Sequence, residues 1–292
     1  MMTNRTLLQR LTSQEDLNFL LTNRIPRMAL THFMGWFSQL RNPWLAKASI
    51  WVWRQFADLD LSEAKQTEFA SLHECFIREL RPGARPIDTD VQTLVSPCDG
   101  IVGALGDVKD GLVFQAKGFP YRLEELLGKS AQHGPWHNGK YLTIRITSSM
   151  YHRFHAPHDG RMHRMEYFSG DTWNVNPIAL KRVEKLFCKN ERALLEMEIG
   201  AKRHPVALVP VAAVLVASIR LHAIDTLLHT RYPGPNVIDC DAPFHKGDEL
   251  GWFQHGSTIL VFTPPGFTFA PGIEEGCVLR MGQALMGLPP AD

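Results

Sequence analysis

Between residues 81 and 90 the chain reads Arg-Pro-Gly-Ala-Arg-Pro-Ile-Asp-Thr-Asp, and no regular helix can pass through it. Pro82, Gly83 and Pro86 remove donors, restrict the preceding residues and admit left-handed backbone. The two sides of this break differ in texture. Upstream, apolar residues recur at helical spacing. Downstream, short β-like runs (TLVSP, YLTIRITS, VALVPVAAVLVASIRL and STILVFT) are separated by Gly, Pro and Asp. Only RLEELLGK at 122–129 and the stretch from Leu180 to Phe187 interrupt them as helical candidates. The expected fold class is α+β: a helical N-terminal region, 1–80, packed on a β-rich body, 81–292.

The upstream region is unusual in charge as well as period. Leu17 through Ala57 contains no Asp or Glu, yet it carries Arg24, Arg27, Arg41, Lys47 and Arg54. Trp36, Trp44, Trp51 and Trp53 fall there, with Phe19, Phe33, Phe37 and Phe56. Ser13 and Asp16 suit the start of a first helix, which Pro26 interrupts. Met28 to Leu40 forms a second and Trp44 to Phe56 a third; the segment 59–80 reads as a fourth, with Phe69, Leu72 and Phe76 on one face. Tryptophan and arginine on short amphipathic helices are the composition of a segment lying in a membrane interface. A helical bundle packed on its own domain has the same pattern, and one face can pack while another meets lipid.

Bulk composition removes several classes. Of 292 residues, 45% are hydrophobic and 21% charged, which fits a globular chain rather than a disordered one. Lys plus Arg number 31 against 30 acids, so no global field favours nucleic acid. The five cysteines are scattered without a CxxC, which disfavours a disulfide framework or zinc ribbon and fits a reducing compartment. No uncharged apolar run reaches the ~20 residues of a membrane span, and the N-terminus lacks a secretory stretch. An intracellular protein is expected.

Three short clusters in the β-rich body can carry chemistry. Ser96-Pro97-Cys98-Asp99-Gly100 follows an apolar run, and by itself it is a turn closing a hairpin. Tyr151-His152-Arg153-Phe154-His155-Ala156-Pro157-His158 follows YLTIRITS. Its histidines have no carboxylate among them, so the cluster does not make a metal site. Gly251-Trp252-Phe253-Gln254-His255-Gly256-Ser257-Thr258 precedes ILVF and is, taken alone, a turn entering a strand.

In that order and spacing, SPCDG, YHRFHAP and the Gly-Ser-Thr after ELGWF resemble the phosphatidylserine decarboxylase family of pyruvoyl-dependent enzymes. FIRELRPGARPIDTD, QAKGFPYRLEELL, the NVNP and NERALL segments and KGDELGWF extend the resemblance from about residue 40 onward. Three departures stand out. His255 replaces a usual aliphatic residue, Cys98 replaces a common alanine, and VAAVLVASI carries alanines where glycines are frequent.

The resemblance implies a proenzyme that makes its cofactor from its own chain. α-Decarboxylation of an amino acid needs an electron sink, which side chains lack, so a carbonyl must form a Schiff base with the substrate amine. Gly256 leaves its carbonyl open to the Ser257 hydroxyl. Attack gives an ester, β-elimination cleaves the chain, and the dehydroalanine hydrolyses to a pyruvoyl group with loss of ammonia. Residues 1–256 become the β chain and 257–292 the α chain. By resemblance His155 takes the hydroxyl proton, Asp99 orients and charge-balances the imidazole, and His152 serves decarboxylation. In an extended segment His152 and His155 face opposite ways; a turn would bring them into one pocket.

The expected activity converts phosphatidylserine in an anionic membrane to phosphatidylethanolamine and CO2, using covalent pyruvate and no metal. The resemblance also implies α and β chains held together, a homodimer, and a peripheral position on the cytoplasmic face of the inner membrane. The alternatives are a decarboxylase of a soluble amino acid and a non-catalytic membrane-binding relative.

Overall fold

The Pro/Gly string is where helices give way to strands. The computed structural model describes residues 15–24, 26–115, 119–128, 134–215, 218–254 and 257–290. The proposed Ser13 cap, His255 and Gly256 lie outside them. Helices α1 (Glu15–Asn23), α2 (Arg27–Ser38) and α3 (Pro43–Phe56) match the three upstream expectations. For α3 the local cause is visible. Asn42 accepts from the amides of Trp44 (3.0 Å) and Leu45 (3.1 Å), and Pro43 occupies the first turn, where a missing N–H costs nothing.

The fourth expected helix, over 59–80, is corrected by the structure. Only α4 (Leu72–Phe76) is helical there. Asp60 accepts from the Ser62 amide at 2.8 Å, closing a turn that competes with a helix. Ala64 bridges back to Leu80, and Ser71 caps the short α4 by accepting from the Glu74 amide at 3.2 Å. Phe69 and Phe76 are buried all the same, so the apolar spacing reported burial rather than helix.

From there the chain runs β1 (Thr93–Val95), β2 (Gly100–Asp107), β3 (Leu112–Phe114), β4 (Pro120–Arg122), α5 (Leu123–Leu127), β5 (Lys140–Ile146), β6 (Arg153–His155) and β7 (Gly160–Phe168). Next come α6 (Pro177–Arg182), α7 (Leu186–Lys189), β8 (Arg192–Ile199), β9 (His204–Ala212), β10 (Ser218–Leu221) and β11 (Thr226–His229). The last are β12 (Val237–Phe244), β13 (Glu249–Phe253), β14 (Ser257–Thr263), β15 (Thr268–Phe269), β16 (Val278–Leu279) and β17 (Ala284–Gly287). The long run VALVPVAAVLVASIRL is therefore two strands, β9 and β10. Helices and antiparallel strands together make a mixed α+β fold.

Eight strands form the main sheet in the order β12-β7-β8-β9-β14-β5-β2-β16, all neighbours antiparallel. A four-stranded sheet, β11-β10-β13-β6, lies beside it. Every residue of β14 is buried. Ile259 and Val261 join one core, Leu260 and Phe262 a second, as period-two alternation requires of a strand covered on both faces. That double burial is why STILVFT reads as a continuous apolar run.

The helices touch the body at specific points. Arg27 on α2 pairs with Asp171 at 2.7 Å and lies 3.7 Å over the Trp173 ring. Thr31 Oγ1 accepts from the Leu215 amide at 3.0 Å. Within the N-terminal region itself, Trp53 on α3 stacks on Phe76 of α4 with centroids 4.1 Å apart. No helix among the described residues is long and apolar enough to cross a membrane.

Candidate active site

Ser257 opens β14 between Ile146 on β5 and Ala212 on β9. It is fully buried, and its hydroxyl has no hydrogen-bond partner. An orphaned buried hydroxyl costs stability, on the order of 1–3 kcal/mol, and native structures hold few of them. Such an atom suits a group kept free for reaction.

Asp99 stands just before β2, which flanks β5 on the side away from β14. Two strand spacings put the Asp99 and Ser257 backbones roughly 10 Å apart across the sheet end. Gly100 allows this approach, since a Cβ there would overlap the Ile144 side chain and the Arg145 carbonyl. Asp99 is buried and fully engaged. Arg85 grips it with Nε at 2.8 Å and Nη2 at 2.5 Å, and the Met281 amide donates to Oδ1 at 2.9 Å. Arg85 also donates to Glu63 at 2.8 Å.

His155 ends β6, and its amide donates to the Pro97 carbonyl at 2.7 Å, which stitches the YHRFH segment to the SPCDG turn. Its Nδ1 lies 2.8 Å from the Gly247 carbonyl and its Nε2 3.0 Å from the Tyr151 hydroxyl. A carbonyl only accepts, so Nδ1 carries the proton and Nε2 accepts from Tyr151. Burial holds the imidazole below its ordinary pKa, against smaller raising effects of the Gly247 carbonyl and of Glu249. A neutral ring with a basic Nε2 results. Asp99 makes no hydrogen bond to it among the described contacts, and its negative charge reaches the ring only as a weak field. Arg85, Tyr151 and the Gly247 carbonyl were not singled out from the sequence. Arg85 does fall inside the Pro/Gly string and Tyr151 heads the histidine cluster, whereas a backbone carbonyl carries no residue-type signal.

His152 sits immediately before β6, its carbonyl accepting from the Phe253 amide at 3.0 Å. Its ring is wholly buried, and neither nitrogen makes a hydrogen bond of normal geometry. It meets Phe76 edge-on at 5.7 Å. His155 instead stacks with Tyr151, also at 5.7 Å, so the two rings occupy different surroundings. Burial, with help from the Arg78 cation, drives the His152 pKa down to about 3.

This depression sets a pH dependence of stability. The unfolded chain takes up a proton near pH 6.5 and the folded chain does not until about 3, so stability falls as pH drops through that window. The slope is about 1.4 kcal/mol per pH unit for one proton. Denaturant unfolding of wild type and His152→Phe between pH 7 and 5 should show a shallower decline in the variant. Equal slopes would contradict the buried neutral imidazole.

Comparison with known proteins points to one family. A family model described as phosphatidylserine decarboxylase matches residues 72–287. Phosphatidylserine decarboxylase proenzymes of Shewanella sp. strains ANA-3 and MR-4 are each 38% identical over 283 residues, covering 90% of this chain and 94% of theirs. That of Shewanella baltica strain OS155 is 37% identical over the same length.

Proposed function

We infer the chemistry from a fixed premise: this chain belongs to the phosphatidylserine decarboxylase family, whose members are carboxy-lyases made as proenzymes. The reaction we propose removes the carboxyl group of phosphatidylserine, leaving phosphatidylethanolamine and CO2. The observation that carries the self-processing is the orphaned, fully buried Ser257 hydroxyl at the head of a central strand. It fits a serine held for attack on the preceding carbonyl, that of Gly256.

In this reading His155 Nε2 receives the Ser257 proton, relayed by or exchanged against Tyr151 as the side chains adjust. The Gly247 carbonyl holds the tautomer, and Asp99, pinned by Arg85, supplies negative charge that favours the imidazolium. Ser257 Oγ adds to the Gly256 carbonyl, the Gly256–Ser257 amide becomes an ester, and elimination frees the Gly256 carboxylate. Hydrolysis of the remaining dehydroalanine releases ammonia and leaves a pyruvoyl group on residue 257. That carbonyl supplies the electron sink for decarboxylation. His152, neutral and wholly buried just before β6, moves a proton for the substrate.

The N-terminal region is read as membrane-associating, packed on the catalytic body through the contacts of Arg27 and Thr31. Its exposed side bears Trp44 (82% exposed), Trp51 (64%) and Phe56 (68%), with Trp36 and Phe33 on α2. Trp44 and Trp51 are seven residues apart and share a helix face. Arg27 and Arg41 pair with Asp171 and Glu74; among the described residues Arg24, Lys47 and Arg54 make no ion pair and are the cations offered to an anionic leaflet. Each cation at the surface contributes about 1 kcal/mol, screened by salt. The reading places the protein peripherally on the cytoplasmic face of the inner membrane and includes a homodimer.

Vesicles test substrate and surface together. Wild type should float with phosphatidylserine vesicles and release CO2 from them, and should release none from free serine. Trp44→Ser/Trp51→Ser should lose binding while still self-cleaving. Turnover of free serine at a comparable rate would transfer the assignment to a soluble amino acid. Failure of wild type to float would end the membrane claim and leave the cleavage chemistry standing.

A further inference from the structure

The face of the main sheet opposite Ser257 holds a cavity of about 690 Å³. Its floor is made where β2, β5 and β14 run side by side. Thr258 on β14 pairs directly with Arg145 on β5, which pairs in turn with Ile101 on β2. Its roof comes from β3, α6 and α7, with Leu180, Lys181 and Phe187 closing over the strands. The roof is fixed by one buried side chain. Gln115 donates to the Leu180 and Val183 carbonyls at 2.9 and 2.8 Å, while its oxygen accepts from the Leu186 amide at 2.5 Å. This is a built chamber, of a volume typical for small-molecule sites.

Some of its polar groups are answered within the wall, as Thr143 is by the Ala104 carbonyl at 3.0 Å; Thr258 and Arg145 are not. Thr258 lines the chamber and is 1% exposed, and its buried hydroxyl has no hydrogen-bond partner. Arg145 is partly buried, and desolvation alone lowers its pKa; no carboxylate opposes that effect. Among the described residues neither Arg145 nor Lys181 makes an ion pair, and the one acid of the lining, Glu275, is exposed. A guanidinium withdrawn from water without a counter-charge is unfavourable, and a planar anion answers it with two parallel hydrogen bonds. The rest of the wall is apolar, including Leu105, Phe114 and Leu180.

We propose that this chamber binds a single-chain anionic amphiphile, its carboxylate or phosphate on Arg145, Thr258 and Lys181 and its chain along the apolar wall. The site is separate from the Ser257 chemistry. It lies on the other face of the same strand, so the proposal stands or falls independently of the decarboxylase reading.

Calorimetric titration of the full chain tests it, with dodecanoate, dodecyl phosphate, dodecanol and dodecyltrimethylammonium, all kept below micelle formation. The two anions should bind at one per chain, and the alcohol and the cation at least roughly tenfold more weakly. A preference for dodecyl phosphate over dodecanoate would point to a lipid headgroup as the source, and the reverse preference to a free fatty acid. Arg145→Gln should weaken anion binding roughly tenfold and leave the alcohol unchanged. Arg145→Lys should restore part of the loss, and its melting curve checks the fold. Ala104→Trp should fill the chamber and abolish binding of all four, whereas Trp44→Ser/Trp51→Ser should change nothing. No saturable anion binding, equal binding of dodecanol, or an unaltered Arg145→Gln titration would overturn the proposal.

Discussion

Ser257→Ala should give a single uncleaved chain of 292 residues with no decarboxylase activity. The loss is complete rather than graded, because the hydroxyl is both the attacking group and the source of the cofactor carbons. The fold should survive. Ser257 makes no side-chain hydrogen bond, so alanine removes an orphaned polar atom from a buried strand. Such a change is neutral or stabilising by about 1 kcal/mol. An uncleaved, well-folded and slightly more stable variant separates a chemical role from a structural one. Chain fragments ending at Gly256 in this variant would refute the assignment.

His155→Ala should arrest cleavage almost as completely, since removing a positioned base costs roughly 10²–10⁴ in rate. The depressed pKa adds a direction: the base stays deprotonated below pH 6.5, so wild-type cleavage should hold its rate into mildly acidic buffer before falling. Asp99→Asn should slow cleavage less than His155→Ala. The carboxylate contributes charge rather than a hydrogen bond to the ring, and its loss leaves the Arg85 guanidinium with Glu63 as its remaining carboxylate partner. His152→Ala should cleave normally and decarboxylate poorly. Time courses of cleavage on gels, with turnover measured on whatever matures, check all three. Arrest of cleavage in His152→Ala, or cleavage at wild-type rate in His155→Ala, would undo the division of roles.

What the sequence disclosed follows from which interactions leave a local trace. STILVFT was legible as a strand, and the structure gives the reason for its unbroken apolar run, burial on both faces. The helices over 15–56 were legible from their apolar period and from the break at Pro26; the Asn42 cap was not singled out. The false helix at 59–80 arose because Phe69, Leu72 and Phe76 are buried at helical spacing, while the Asp60 turn and the Ser71 cap set the backbone. At the site, the serine and the two histidines were visible as residue types. The partners of Asp99, also visible in sequence, and of His155 were not: Arg85 meets Asp99 across a turn, and the Gly247 carbonyl is backbone, identical in every residue. Whether His152 and His155 share a pocket was open in sequence; the pairing of β6 with β13 sends the rings into different surroundings.

The self-made carbonyl is the central claim, and intact mass under denaturing conditions tests it most directly, before and after borohydride reduction. The account predicts two fragments from active protein. Residues 1–256 end in a free carboxylate, and 257–292 lack the serine amine, gaining two hydrogens on reduction. A single intact chain in fully active protein, or a small fragment beginning with an unmodified serine, would contradict it.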